Sequence, residues 1–427
     1  MNDAPDRAVT AALARIGTVF ERPADWQPPA GTIDDVVAWL LGPARDFARA
    51  AEAFDELCWR LVGAGLPLAR MSINGETLHP LFFGYGLRWW RAQRRTEYAM
   101  ARHEMRKTPL YLDSPVARCI EDGLPIRRRI AGTADADDFP ILADLREQGI
   151  TDYLVLPIRG ARRRRHVGTF ATDRSGGFTD ADVAALARVA AIFGILVDHY
   201  VLEQISRNVV EAYLGATTGP RVLAGQIRRG SGERLHAVIW SSDIRGFTER
   251  SERLDGERVV ALLNACFEAQ GAAIEGNGGE VLKFIGDGLL AIFPIPGSGD
   301  ERGAVAAAVA AAGEALAAVE ALHDTPLLAG EPPLRVVIAL HVGEVFYGNI
   351  GSSQRLDFTV IGPAVNLVSR AAEAAKTLDV DLILTEALAA AYGGGVERLG
   401  EFRLRGLAGA RALFTPRQGG RAPAGLS

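Results

Sequence analysis

The chain has 427 residues, and its 47 lysines and arginines against 52 aspartates and glutamates leave a formal net charge of −5. That balance gives no global pull toward nucleic acid, and the length suits two or three domains. Hydrophobic residues make up 48% and charged residues 23%, as in an ordinary globular protein.

Three cysteines, Cys58, Cys119 and Cys266, lie far apart without metal-binding spacing. They suit a reducing compartment, as small buried hydrophobes. Asp3 and Asp6 stand where a signal peptide would be basic and then apolar. The most apolar stretches are 183–197, broken by Arg188, and 304–322, broken by Glu314 and Glu320. Neither is a clean run of about 18 apolar residues, so no membrane span and a cytoplasmic location are expected.

Residues 1–31, with Pro23, Pro28 and Pro29, read as a loosely held arm. From Thr32 apolar residues recur at three- and four-residue steps (Val36, Trp39, Leu40, then Phe54, Leu57, Leu61), which predicts one helical stretch ending near Gly63 and Gly65. Strands are predicted at 68–73 and 81–90, with Asn74-Gly75 as a turn. Residues 114–122 read as a helix with Pro115 at its start. A strand at 124–130 and a helix at 139–148 follow. Residues 153–159 and 166–172 form a strand pair around 160–165. A long helix starts at Thr179, its expected cap, with Asp182 in the first turn.

Helix, strands, helix, strands, helix is an α+β order. Tyr153-Leu154-Val155-Leu156-Pro157-Ile158, Val167-Gly168-Thr169-Phe170 and Phe178-Thr179-Asp180 resemble a GAF domain. The resemblance implies a sensor over 32–198 and leaves room for a small-molecule ligand; an unrelated α+β dimerisation domain fits the same order. Arg162 to Arg165 read as a solvated hairpin tip, Phe82, Phe83, Tyr85, Trp89 and Trp90 as core, and His79 and His166 as structural. Helical periodicity through 200–214, broken at Gly215, Gly219 and Pro220, makes 199–229 a helical linker suited to pairing with a second chain.

The chemistry gathers after residue 230. Ala237-Val238-Ile239-Trp240 reads as a buried strand running into Ser241-Ser242-Asp243-Ile244-Arg245-Gly246-Phe247-Thr248. A helical pattern follows. Residues 280–285 and 289–293 are short strands around Gly286-Asp287-Gly288, a hairpin signal. An acid at a strand end and another at a tight turn can converge on hard cations, and Mg²⁺ is usually held by one or two carboxylates plus substrate phosphates.

These residues, with the stretches 340–351, 355–362 and Val365-Asn366-Leu367-Val368-Ser369-Arg370, resemble the catalytic domain of class III nucleotidyl cyclases. The resemblance covers roughly 230–416 and leaves 417–427 as a tail. It implies a ferredoxin-like α+β catalytic domain. It further implies a homodimer whose two chains share each site, and closure of ATP to cyclic AMP and pyrophosphate with two Mg²⁺ or Mn²⁺ per site.

Carried over residue by residue, Asp243 and Asp287 hold metals, with the Ile244 carbonyl as a third donor. Gly246, Phe247 and Thr248 begin a helix whose free N–H groups face the triphosphate. Lys283 and Thr359 read the base, with Asp357 as a structural strand residue. Lysine donates to adenine N1, whereas the threonine hydroxyl can serve adenine or guanine. Asn366 orients the ribose, Arg370 stabilises the α-phosphate, and Arg405 stands where the family usually has a phosphate-binding lysine. A GTP cyclase and an inactive nucleotide-sensing module are the alternatives. Ile285-Gly286-Asp287-Gly288 does not supply the turn of a diguanylate-forming polymerase.

Overall fold

The computed structural model describes residues 13–16, 20–130, 138–160, 165–297 and 299–417, and the chain divides into two compact units, 1–212 and 213–427.

The first unit is built on an antiparallel sheet. Its strands are β1 (Leu13–Ile16), β2 (Phe20–Glu21), β3 (Arg70–Glu76), β4 (Phe82–Trp90), β5 (Arg95–Arg102), β6 (Ile126–Arg129), β7 (Asp152–Arg159) and β8 (Arg165–Thr172). The order is β1-β5-β4-β3-β8-β7-β6, with β2 also on β5. The helices are α1 (Ile33–Leu41), α2 (Ala50–Gly63), α3 (Pro109–Leu112), α4 (Pro115–Asp122), α5 (Ile141–Glu147) and α6 (Asp180–Leu214). The core joins α2 and α6 to the sheet through Phe54, Leu57, Leu61, Met71, Trp89, Phe170 and Phe193.

Several expectations need correction here. The arm is not wholly loose: β1 and β2 pair with β5, and Arg22 binds the buried Asp55 at 2.6 Å and Glu56 at 2.8 Å. The stretch from Thr32 is two helices, because Pro43 has no N–H and sits in a tight 3-10 turn after Gly42. Asn74-Gly75 is strand, not turn. Glycine is needed there for close packing, since a Cβ at 75 would lie 2.5 Å from His166 Nδ1 and 2.7 Å from the Tyr85 hydroxyl. The helix expected from Thr179 and the helical periodicity through 200–214 do form one element, the single 35-residue α6. Thr179 caps it: its hydroxyl accepts from Asp182 N, and its own N–H donates to Asp182 Oδ2. Of the arginine run, 162–164 lie outside the described residues, as does the tail beyond Arg417.

The second unit begins with α7 (Thr218–Leu223) and then runs β9 (Gly232–Ile244), α8 (Phe247–Arg253), α9 (Gly256–Gly276), β10 (Glu280–Ile285), β11 (Gly288–Ile295), α10 (Glu301–Ala321) and β12 (Val336–Gly351). It closes with β13 (Leu356–Ile361), α11 (Pro363–Thr377), β14 (Leu382–Thr385), α12 (Glu386–Ala391), β15 (Val396–Arg403) and β16 (Ala410–Pro416). From β9 to β12 this is a β-α-β-β-α-β order, with β10-β11-β9-β12 adjacent and antiparallel.

Both faces of β9 are covered, which is why 237–240 is apolar without alternation. Val238 and Trp240 face α9 and α10, whereas Ala237 and Ile239 join Val368 and Ala371 of α11. Helix α10 is long and apolar enough by composition to cross a membrane, but Val305, Ala308, Ala312, Ala315 and Val319 are buried in this core. Its many alanines let it lie close against α9 and the sheet.

Candidate active site

Strand β9 ends at Asp243 and Ile244, held between Val336 and Val337 of β12 on one side and, up to Ser242, Leu289 of β11 on the other. Asp287 is the second residue of the two-residue turn Gly286-Asp287, with Ile285 opposite Gly288. Gly286 takes a left-handed φ of 63°. Gly288 lets the hairpin lie close on β9, because a Cβ there would stand 2.8 Å from the Ser242 carbonyl oxygen. Local backbone geometry thus delivers Asp287 to Asp243.

The two carboxylates are near enough to act on each other electrostatically. Burial, the hydrogen bond to Asp243 and its charge raise the Asp287 carboxyl to about 6. Asp243 Oδ2 accepts from Lys376 Nζ, while Asp243 Oδ1 is buried with no hydrogen-bond partner among the described residues. Two crowded carboxylates with one open oxygen fit a hard divalent cation. No group of three or more His, Cys, Asp or Glu side chains set for a metal occurs among the described residues. The donor set therefore fits an ion that takes its remaining ligands from backbone, water and a phosphate-bearing substrate.

Helix α8 starts at Phe247 behind Gly246, whose φ is 62° and whose position carries no side-chain cap. The first N–H groups of the helix, near Thr248, have no capping side chain to occupy them.

The side chain that Lys283 meets is Asp357, two positions before Thr359 on β13. Lys283 Nζ donates to Asp357 Oδ2 at 2.7 Å. Asp357 and Thr359 sit two apart on β13, hence on one face. Asp357 lies in a strand, as expected of a structural residue there, and it also pairs with Lys283. Thr359 is 5% exposed, and its hydroxyl has no partner among the described residues. A buried unpaired hydroxyl costs stability unless a ligand uses it.

Asn366 and Arg370 lie one turn apart on α11, whose other face buries Ala364, Val368, Ala371 and Ala375. Arg370 Nη1 donates to Glu373 Oε1 at 2.5 Å. Lys376, at the far end of α11, is the residue that reaches Asp243. Ten residues of helix separate it from Asn366, roughly 15 Å of rise. One chain therefore brings together Asp243, Ile244 and Asp287, and separately Lys283, Asp357 and Thr359. It leaves Asn366 and Arg370 on another stretch of surface. Arg405 is exposed in the loop between β15 and β16.

Two residues that the sequence reading passed over hold this site in place. Arg245 donates to the carbonyls of Ala375, Lys376 and Val380 and to Asp381 Oδ1, over 2.8 to 3.2 Å. It thereby caps the C-terminal end of α11 beside Asp243. Ser242 donates to the buried Gln270 Oε1 at 2.5 Å, tying β9 to α9.

Fold and site together define an α+β domain with an acidic pair prepared for divalent cations beside an open helix start. A model of the adenylate and guanylate cyclase catalytic domain matches residues 234–414. An adenylate cyclase of Anabaena cylindrica is 31% identical over 166 residues, 38% of this chain and 32% of that one. The crystal structure of the adenylyl cyclase CyaB from P. aeruginosa is 26% identical with a TM-score of 0.41, over 46% of this chain and 100% of that one. That of the guanylyl cyclase Cya2 is 31% identical with a TM-score of 0.38, over 43% and 92%. The chain spans about a third of the length of the first curated relatives it matches. Residues 234–414 belong to the class III adenylate and guanylate cyclase family as its catalytic domain.

Proposed function

We propose that the chain is an adenylate cyclase that closes ATP into 3′,5′-cyclic AMP and pyrophosphate. The observation that carries the reading is the neighbouring pair Asp243 and Asp287, with Asp243 Oδ1 buried and open. Asp243, Asp287 and the Ile244 carbonyl hold two Mg²⁺ or Mn²⁺, which when bound supply positive charge to the triphosphate and the reacting oxygens. The N–H groups at Gly246, Phe247 and Thr248 receive phosphate oxygens. Lys283 donates to adenine N1 and Thr359 accepts from the adenine amino group. Asn366 orients the ribose so that its 3′-oxygen bonds to the α-phosphorus as the bond to pyrophosphate breaks. Arg370 stabilises charge on that phosphate, and Arg405 holds the terminal phosphates.

The distance along α11 between Asn366 and Lys376 supports a homodimer in which Asn366 and Arg370 complete the site of the partner. The N-terminal unit is read as a GAF-like sensor over 32–198, which regulates the cyclase of a cytoplasmic protein through the 199–229 linker. Its antiparallel sheet and the helix leaving it support that reading. One observation favours a second substrate: Asp357, beside Lys283, offers an acceptor that suits guanine N1–H.

The test is incubation of the purified chain with ATP or GTP and Mg²⁺ or Mn²⁺, with products identified by mass. Cyclic AMP as the dominant product is expected. Equal conversion of GTP would overturn the base assignment, and no cyclic nucleotide from either would overturn the reading.

A further inference from the structure

The N-terminal unit holds a cavity of about 370 Å³ between its sheet and helix α6, within the range of roughly 300–1,000 Å³ typical of small-molecule sites. Ile73, Leu87 and Tyr98 of three adjacent strands form one wall, and Phe193, Val197 and Val201 of α6 form the other. Its apolar walls hold water poorly and gain dispersion contacts when a ligand covers them.

The polar groups around it say what chemistry it takes. Arg49 and Arg207 stand at its edge, but each is paired, with Glu52 and with Glu203 at 3.5 Å. These four side chains sum to no net charge, so the edge selects neither an anion nor a cation. Inside, the Tyr200 hydroxyl is satisfied by the Phe47 carbonyl oxygen at 2.9 Å, and the Tyr85 hydroxyl meets His166 Nδ1 at 3.1 Å. Tyr98 differs. Among the described residues its hydroxyl donates to Met100 Sδ at 2.8 Å, and a thioether is a weak acceptor.

We propose that this cavity binds a small, uncharged, mostly apolar molecule, such as an aromatic or medium-chain ketone or ester, whose carbonyl oxygen accepts from the Tyr98 hydroxyl. Seven residues of α6, from Phe193 to Arg207, border the space. The cavity also touches the chain of contacts in which Tyr85 meets His166 and His166 Nε2 meets Asp198 Oδ1 of α6 at 3.0 Å. An occupant therefore rests on the helix that leaves the unit. The inference deepens the reading of this unit as a ligand-responsive sensor. Its test measures binding without nucleotide turnover, so its failure and that of the cyclase reading are separable.

The full chain is titrated with the neutral fluorophore N-phenyl-1-naphthylamine, then with acetophenone and its hydrocarbon isostere cumene as competitors. Saturable binding at one site per chain, displaced by both, is expected. Val201→Phe and Leu87→Phe, which fill the space from opposite walls, should each weaken the probe at least tenfold without lowering Tm. Tyr98→Phe should weaken acetophenone by roughly three- to tenfold, the value of one hydrogen bond, and leave cumene unchanged. Absence of saturable binding, or unaltered binding in both filled variants with folding verified, would overturn the site. Equal loss of acetophenone and cumene in Tyr98→Phe would overturn the carbonyl contact.

Discussion

Thr359→Val separates a residue that holds the fold from one that waits for substrate. The threonine is 5% exposed on β13, and its hydroxyl lacks a partner among the described residues. Valine has nearly the same shape and suits a strand. An unsatisfied buried hydroxyl costs about 1–3 kcal/mol, part of which valine recovers. A gain of about 1 kcal/mol raises Tm by roughly 2–4 °C for a domain of this size. The bound base loses one hydrogen bond, about 0.5–1.5 kcal/mol, so kcat/KM for ATP should fall roughly two- to tenfold. Scanning calorimetry and initial rates on one preparation read both effects. A lower Tm with unchanged kcat/KM would refute the reasoning, because the hydroxyl would then serve the fold and not the base.

Other predictions follow the same geometry. Asp243→Ala and Arg370→Ala chains should each be inactive alone and regain part of the activity when mixed, as one site of the heterodimer is intact; no recovery with heterodimers verified contradicts the shared site. Lys283→Glu should lose most ATP turnover, and with Thr359→Cys should raise the relative use of GTP, read as the ratio of cyclic products. Burial, and behind it the charge of His236, depresses His341 from 6.5 to about 4. The unfolded chain then binds the proton first, so stability is full above about 6.5 and is lost as pH falls toward about 4, by up to roughly 3 kcal/mol. In His341→Gln, urea midpoints between pH 7 and 4.5 should lose that slope; an unchanged slope would assign it elsewhere.

Much of the site is legible in sequence because strand ends and tight turns announce themselves. The run 237–240 followed by Asp243, and Gly286-Asp287-Gly288 between two short strands, give elements whose geometry follows from local backbone rules. Lys376 is not legible: its approach to Asp243 depends on how α11 crosses the sheet and on the clamp by Arg245. Asp357 carried a readable signal, since period two puts it on the face of Thr359, but its pairing with Lys283 joins residues 74 positions apart. In the N-terminal unit Asn74-Gly75 misleads, because glycine there serves a close approach to Tyr85 and His166 that only the sheet creates. Strand β5 was not read, and it forms part of the wall of the cavity.

The most direct test of the central claim pairs chemistry with the two carboxylates. Wild-type chain with ATP and Mg²⁺ should release cyclic AMP and pyrophosphate one for one. Asp243→Ala and Asp287→Ala should each fall roughly a hundredfold or more, since a metal's charge stabilisation is worth several kcal/mol. Either variant retaining above about a tenth of wild-type turnover, while folded, would contradict the assignment of this acidic pair.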